Sequence, residues 1–144
     1  MRTFETANPP PAPNAALDGM EARCEAIAWQ FMAAWGSRDP EQVVRLLADD
    51  VVYMIYEGGP VKNGPAEIRE VLARFMPRWR RIEFRVQRLA VVGPLVINER
   101  HEEYDGVEGQ PDWRFFVAGL LVVQDGKIRL WRDYTLPGKK QIFD

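Results

Sequence analysis

Cysteine and histidine are almost missing from this chain: its 144 residues hold one of each, Cys24 and His101. One cysteine cannot close an internal disulfide, which fits a reducing compartment. A lone histidine without a cysteine partner cannot build the usual zinc site, and Cys24 sits in an apolar helical pattern that marks it as a packed residue. An excess of one charge is missing too. Nineteen basic residues face 21 acidic ones, a net charge of −2, so nothing argues for an electrostatic nucleic-acid partner. No apolar run approaches a membrane span, and the N-terminus lacks the basic-then-apolar pattern of a signal peptide. The expectation is a cytoplasmic protein with no membrane or nucleic-acid partner, no metal and no cofactor.

What is present is ordinary for a globular domain: 47% hydrophobic and 28% charged residues, in a length that suits one core. The proline-dense segment Asn8–Asn14 supplies few backbone donors. Residues 1–17 therefore read as a flexible or draped tail, and 18–144 as a single domain. From Asp18, apolar residues recur every three or four positions through Met20, Cys24, Ile27, Phe31 and Trp35, which predicts a helix ended by Gly36-Ser37. Asp39-Pro40-Glu41 opens a second helix, about 39–48, with proline in its first turn. Val51–Tyr56 has the β-branched and aromatic content of a strand. A third helix is expected at about 65–78, where the cluster Arg78-Trp79-Arg80-Arg81 reads as its solvated end. Strands follow at 82–92, from Gly93-Pro94 to about Asp105, at 113–124, and at 127–135 after the tight turn Asp125-Gly126. Helices followed by a run of strands imply an α+β domain. A strongly curved sheet with helices on its concave side would form a cone whose interior is a pocket.

The stretch Asn98-Glu99-Arg100-His101-Glu102-Glu103-Tyr104-Asp105 stands out. In a strand, Arg100, Glu102 and Tyr104 share one face, while Glu99, His101 and Glu103 share the other. Either face carries ionisable groups inward if the strand is covered, and buried charges persist only when paired or used. A solvated edge strand of mixed charge is the other reading. The last strand poses the same question, with Arg129, Trp131 and Asp133 on one face. If that face is interior, Glu102 and Asp133 flank Arg100 from neighbouring strands. An acid–arginine–acid set suits general acid/base work, because burial raises one carboxyl's pKa while the arginine helps hold the other ionised. A structural ion-pair network is the alternative.

Glu99-Arg100-x-Glu102, followed by Gly126-Lys127-Ile128-x-x-Trp131-Arg132-Asp133-Tyr134, resembles the limonene-1,2-epoxide hydrolase family over roughly residues 20–136. The resemblance implies a cone-shaped, curved mixed or antiparallel sheet of the nuclear-transport-factor-2-like, SnoaL-like type, with helices on the concave side. It also implies a homodimer and a small apolar epoxide as ligand. Activity would be single-step water addition without metal or covalent intermediate. Glu102 would stand for the family's aspartic acid that protonates the epoxide oxygen, Arg100 for the bridging arginine, Asp133 for the aspartate that deprotonates water, and Tyr53 for a water-holding tyrosine. Ile55, Trp131, Leu120 and Phe115 are expected in the pocket wall. Two departures matter: the acid is one methylene longer, and the family's water-holding asparagine is Ile55. Tyr56 and Asn63 are candidates to compensate. The fold also serves isomerases, polyketide cyclases and ligand binders, so a non-hydrolytic member of the fold is the alternative reading.

Overall fold

The computed structural model describes residues 1–7, 14 and 17–136. Helix α1 (Gly19–Ser37) starts at Asp18, whose carboxylate accepts from the Glu21 N–H at 2.9 Å, satisfying one of the helix's open donors. Arg38, in the left-handed region (φ 56°), ends it. Helix α2 (Pro40–Val44) is capped by Asp39. It is shorter than expected because strand β2 (Leu47–Met54) already begins at Leu47, where the Ile128 N–H donates to the Leu46 carbonyl. Sheet pairing overrides helical periodicity there. A short strand β3 (Val61–Asn63) leads into helix α3 (Gly64–Phe75) and one 3-10 turn, Met76–Arg78.

Four strands then form a meander: β4 (Trp79–Val92), β5 (Leu95–Gly106), β6 (Trp113–Gln124) and β7 (Lys127–Leu136). The Arg78–Arg81 cluster is not a solvated helix end. Trp79 is fully buried at the start of β4, and Arg81 pairs on the outer face with Asp105 at 2.6 Å and Glu103 at 2.8 Å. At the chain's start, Arg2–Ala7 form strand β1, antiparallel to β4. This part of the expected tail is therefore sheet, while 8–13 and 15–16, which hold the prolines, lie outside the described residues.

The result is an open, curved mixed sheet in the order β1-β4-β5-β6-β7-β2-β3. All neighbours are antiparallel except β2 and β7, which run parallel. α1 packs on β4, β5 and β6, and α3 on β2. Between helices and sheet, Phe31, Trp35, Ile68, Leu72, Trp79 and Trp131 are buried. These large apolar groups each stabilise the fold by about 1.5–3 kcal/mol on the usual burial scale.

Candidate active site

On β5 the period-two alternation decides which charges go inside. Asn98, Arg100, Glu102 and Tyr104 are 2–6% exposed, while Glu99, His101 and Glu103 turn to the outer face. His101 lies there against Phe116, with ring centres 4.8 Å apart. Asp133 reaches the inner group from β7, across the intervening strand β6. The backbone position between them is Gly119, which pairs with Asn98 on one side and Asp133 on the other.

Arg100 is fully enclosed and spends its donors on three neighbours. Nε donates to Glu102 Oε1 at 2.8 Å, Nη1 to Asn98 Oδ1 at 2.8 Å and Nη2 to Asp133 Oδ1 at 2.9 Å. The face of Phe84 lies 5.1 Å from its guanidinium carbon. Burial works against the arginine's charge, yet Asp133 and Glu102 more than offset it and its pKa is raised. Removing one partner of such a buried set costs about 3–5 kcal/mol, because it leaves an uncompensated charge. Asn98 is itself anchored, its Nδ2 donating to the Gly119 carbonyl at 3.3 Å.

The two carboxyls have different surroundings. Glu102 Oε2 accepts from the Tyr104 hydroxyl. Burial pushes the Glu102 pKa up; Arg100 opposes this and the Asp133 charge adds to it. Glu102 is therefore the carboxyl that holds a proton more readily than an exposed glutamate. Asp133 receives one donor on each oxygen, Arg100 on Oδ1 and the Trp131 indole N–H on Oδ2 at 3.0 Å. Tyr53, the Cα partner of Trp131, stacks on its ring at 3.5 Å and 15°. Burial, then the nearby Asp133 and Glu102, hold the Tyr53 hydroxyl well above its ordinary pKa, so it stays a neutral O–H.

Glu102, Asp133, Tyr53 and Tyr104 open onto a pocket of about 230 Å³. Its remaining wall is mostly apolar: Val71, Leu72 and Phe75 from α3, Trp35 from α1, Trp113, Phe115 and Val117 from β6, and Ile55. An apolar cavity with a few convergent polar groups is the usual form of a small-molecule site. Among the described residues, no group of three or more His, Cys, Asp or Glu side chains is placed to hold a metal ion.

The SnoaL-like domain family matches residues 28–131. The chain belongs to the SnoaL-like family. Epoxide hydrolase EphG of Mycobacterium tuberculosis is 31% identical over 104 residues, covering 72% of this chain and 67% of that protein. A solved structure of an M. tuberculosis LEH-like epoxide hydrolase is 28% identical, with a TM-score of 0.71 over 81% of this chain and 84% of the other. A SnoaL-like polyketide cyclase structure from Shewanella denitrificans reaches the same TM-score over 78% of this chain and 90% of the other, at 16% identity, which is likeness of fold alone.

Arg100, Glu102 and Asp133 come together by direct hydrogen bonds, and Tyr53, Ile55 and Phe115 line the same pocket. Trp131 lies beneath the pocket wall, between Tyr53 and Asp133. Leu120 is a correction. It lies on the opposite face of β6 from Phe115, Val117 and Gly119, and does not line the pocket. Arg129 is another. A bulge between Ile128 and Leu130 turns it outward to pair with Asp50, away from Trp131 and Asp133. Tyr56 does line the pocket, whereas Asn63 pairs with Val52 and precedes α3.

Sequence reasoning assigned no role to Asn98, Tyr104 or Gly119. Each had a signal. Asn98 and Tyr104 continue the Arg100–Glu102 alternation, and a glycine inside an apolar strand marks close approach of another group.

Proposed function

We propose that this protein adds water to the epoxide of a small apolar molecule by single-step general acid/base catalysis. The observation that carries the reading is Arg100 bridging Glu102 and Asp133 at the end of an apolar pocket, with the two carboxyls in unlike environments. Glu102, whose proton burial holds more tightly than that of an exposed glutamate, gives it to the epoxide oxygen as the carbon–oxygen bond breaks. Asp133 takes a proton from the attacking water as the new carbon–oxygen bond forms. Arg100 steadies both carboxyls through the exchange of charge, and Tyr53 supplies an O–H toward the water. The product is a vicinal diol, and proton exchange with solvent resets Glu102 and Asp133. Similarity to EphG and to the LEH-like hydrolase structure supports the same class of reaction.

One feature supports a second reading. Ile55 puts a hydrocarbon on the wall shared by Tyr53 and Asp133, so a hydroxyl of the substrate itself can serve as the nucleophile and close a cyclic ether. Turnover of apolar epoxides in oxygen-18 water separates the two. Labelled diol, lost in Asp133→Asn with the fold intact, is the expected result. A cyclic ether without label supports the second reading, and no turnover across a broad epoxide panel refutes both.

A further inference from the structure

The two oxygens of Glu102 keep different company. Oε1 faces Arg100 twice, Nε at 2.8 Å and Nη2 at 2.6 Å. A carboxyl oxygen with two guanidinium N–H groups on it has both lone pairs engaged. The proton of neutral Glu102 therefore belongs on Oε2, and Oε2 is the oxygen that the Tyr104 hydroxyl holds. Tyr104 is 4% exposed. Its ring is fixed by Phe75, Trp79, Phe84 and Phe115, with centres 5.2–6.1 Å away, so the hydroxyl has little freedom to leave. Glu102 and Tyr104 both line the pocket.

We propose that Tyr104 is the positioning residue of the proton donor: its hydroxyl fixes Glu102 Oε2 as the proton-bearing oxygen and holds it at the pocket wall. This rests on reading Glu102 as the general acid. It also accounts for a glutamate in that place. The longer side chain has one more torsion to settle, and a second anchor on Oε2, beyond the Arg100 fork on Oε1, settles it. The hydroxyl donates to Oε2, and a protonated carboxyl oxygen keeps a lone pair that can go on accepting that bond, so the anchor survives transfer of the proton and leaves the proton itself free for the pocket. The other titratable groups facing Glu102 are Arg100, Asp133 on β7 and Tyr53 on β2.

Tyr104→Phe tests the proposal, because it keeps every ring contact and removes the O–H alone. Expected is a fall in kcat of about 100-fold, the scale of a reacting group displaced by an ångström, with KM unchanged. The alkaline limb of kcat/KM, where Glu102 gives up its proton, should move to higher pH, since the lost O–H favoured the carboxylate. A residue that only packs would not move that limb. In a Glu102→Asp background the carboxyl is withdrawn from the hydroxyl, so the second change should cost little, a non-additivity that marks direct contact. Unchanged kcat and pH limb in an active Tyr104→Phe enzyme overturn the proposal and leave the hydrolase reading standing. If the wild-type protein opens no epoxide, the hydrolase reading falls alone. Carbon-13 titration of Glu102, its resonance identified by loss in Glu102→Gln, then decides: an upward move in Tyr104→Phe supports the anchor, and an identical titration overturns it.

Discussion

Arg100 occupies the space that Gly119 leaves by having no side chain. A Cβ on Gly119 would meet Nη1 of the guanidinium first, then Asn98 Nδ2 at 3.0 Å and Asp133 Oδ1 at 3.1 Å. The glycine in the middle of an apolar strand is thus the cavity into which the charged group fits.

Gly119→Ala should therefore act against the ordinary trend. Alanine in a strand is normally favoured over glycine, which carries the larger entropy cost. Here the added methyl displaces a guanidinium held by three partners. We expect a loss of about 1–3 kcal/mol, the usual range for overpacking, in urea unfolding, together with loss of most turnover. Equal or greater stability would show that the Arg100 cluster yields easily.

Stability should fall with rising pH through Glu102. Its folded-state pKa lies above the ordinary 4.5, chiefly through burial. The folded protein thus binds the proton more tightly than the unfolded chain. The associated stability is complete below 4.5 and is lost as pH rises through the folded-state value, at about 1.4 kcal/mol for each pH unit between the two. Asp105 has the opposite sign. Arg81 and then Arg114 hold it down to about 2, so its contribution is present above 3.8 and lost as pH falls toward 2. Denaturation of Glu102→Gln across pH should lack the decline above 4.5 and keep the acid one. A decline that persists in the variant would assign it to another group.

Ile55→Asn should speed water addition. The change puts an amide on the wall beside Tyr53 and Asp133. One further hydrogen bond to the attacking water, worth about 1 kcal/mol, corresponds to roughly a 5-fold gain in diol formation. A drop in diol with unchanged release of cyclic ether would favour the internal nucleophile.

Much of the cone was legible in the sequence because its signals are local: the apolar spacing of α1 and α3, the Asp125-Gly126 hairpin and the alternation from Asn98 to Tyr104. What was not legible turned on phase and pairing. Phe115, Val117 and Leu121 alternate with Phe116, Ala118 and Leu120, so β6 is apolar on both faces, and its sequence alone cannot say that Leu120 points outward. In β7, one bulge between Ile128 and Leu130 turns Arg129 away from Trp131. Arg2–Ala7 find their place only because β4 offers an edge, and Leu47 joins the sheet instead of α2 because β7 claims its backbone. Neither event has a signature within its own segment.

The parallel pairing of β2 with β7 also divides the site into a local and a non-local part. The β4–β7 meander is closed by short turns, so Arg100, Glu102 and Asp133 can gather through contacts near in sequence. Tyr53 joins them only when β2, made long before in the chain, docks beside Trp131. Non-local, parallel closures of this kind are slow steps in folding. The charge cluster thus rests on pairings between consecutive strands, whereas the stack of Tyr53 on Trp131 depends on a strand that the chain must bring back from far away.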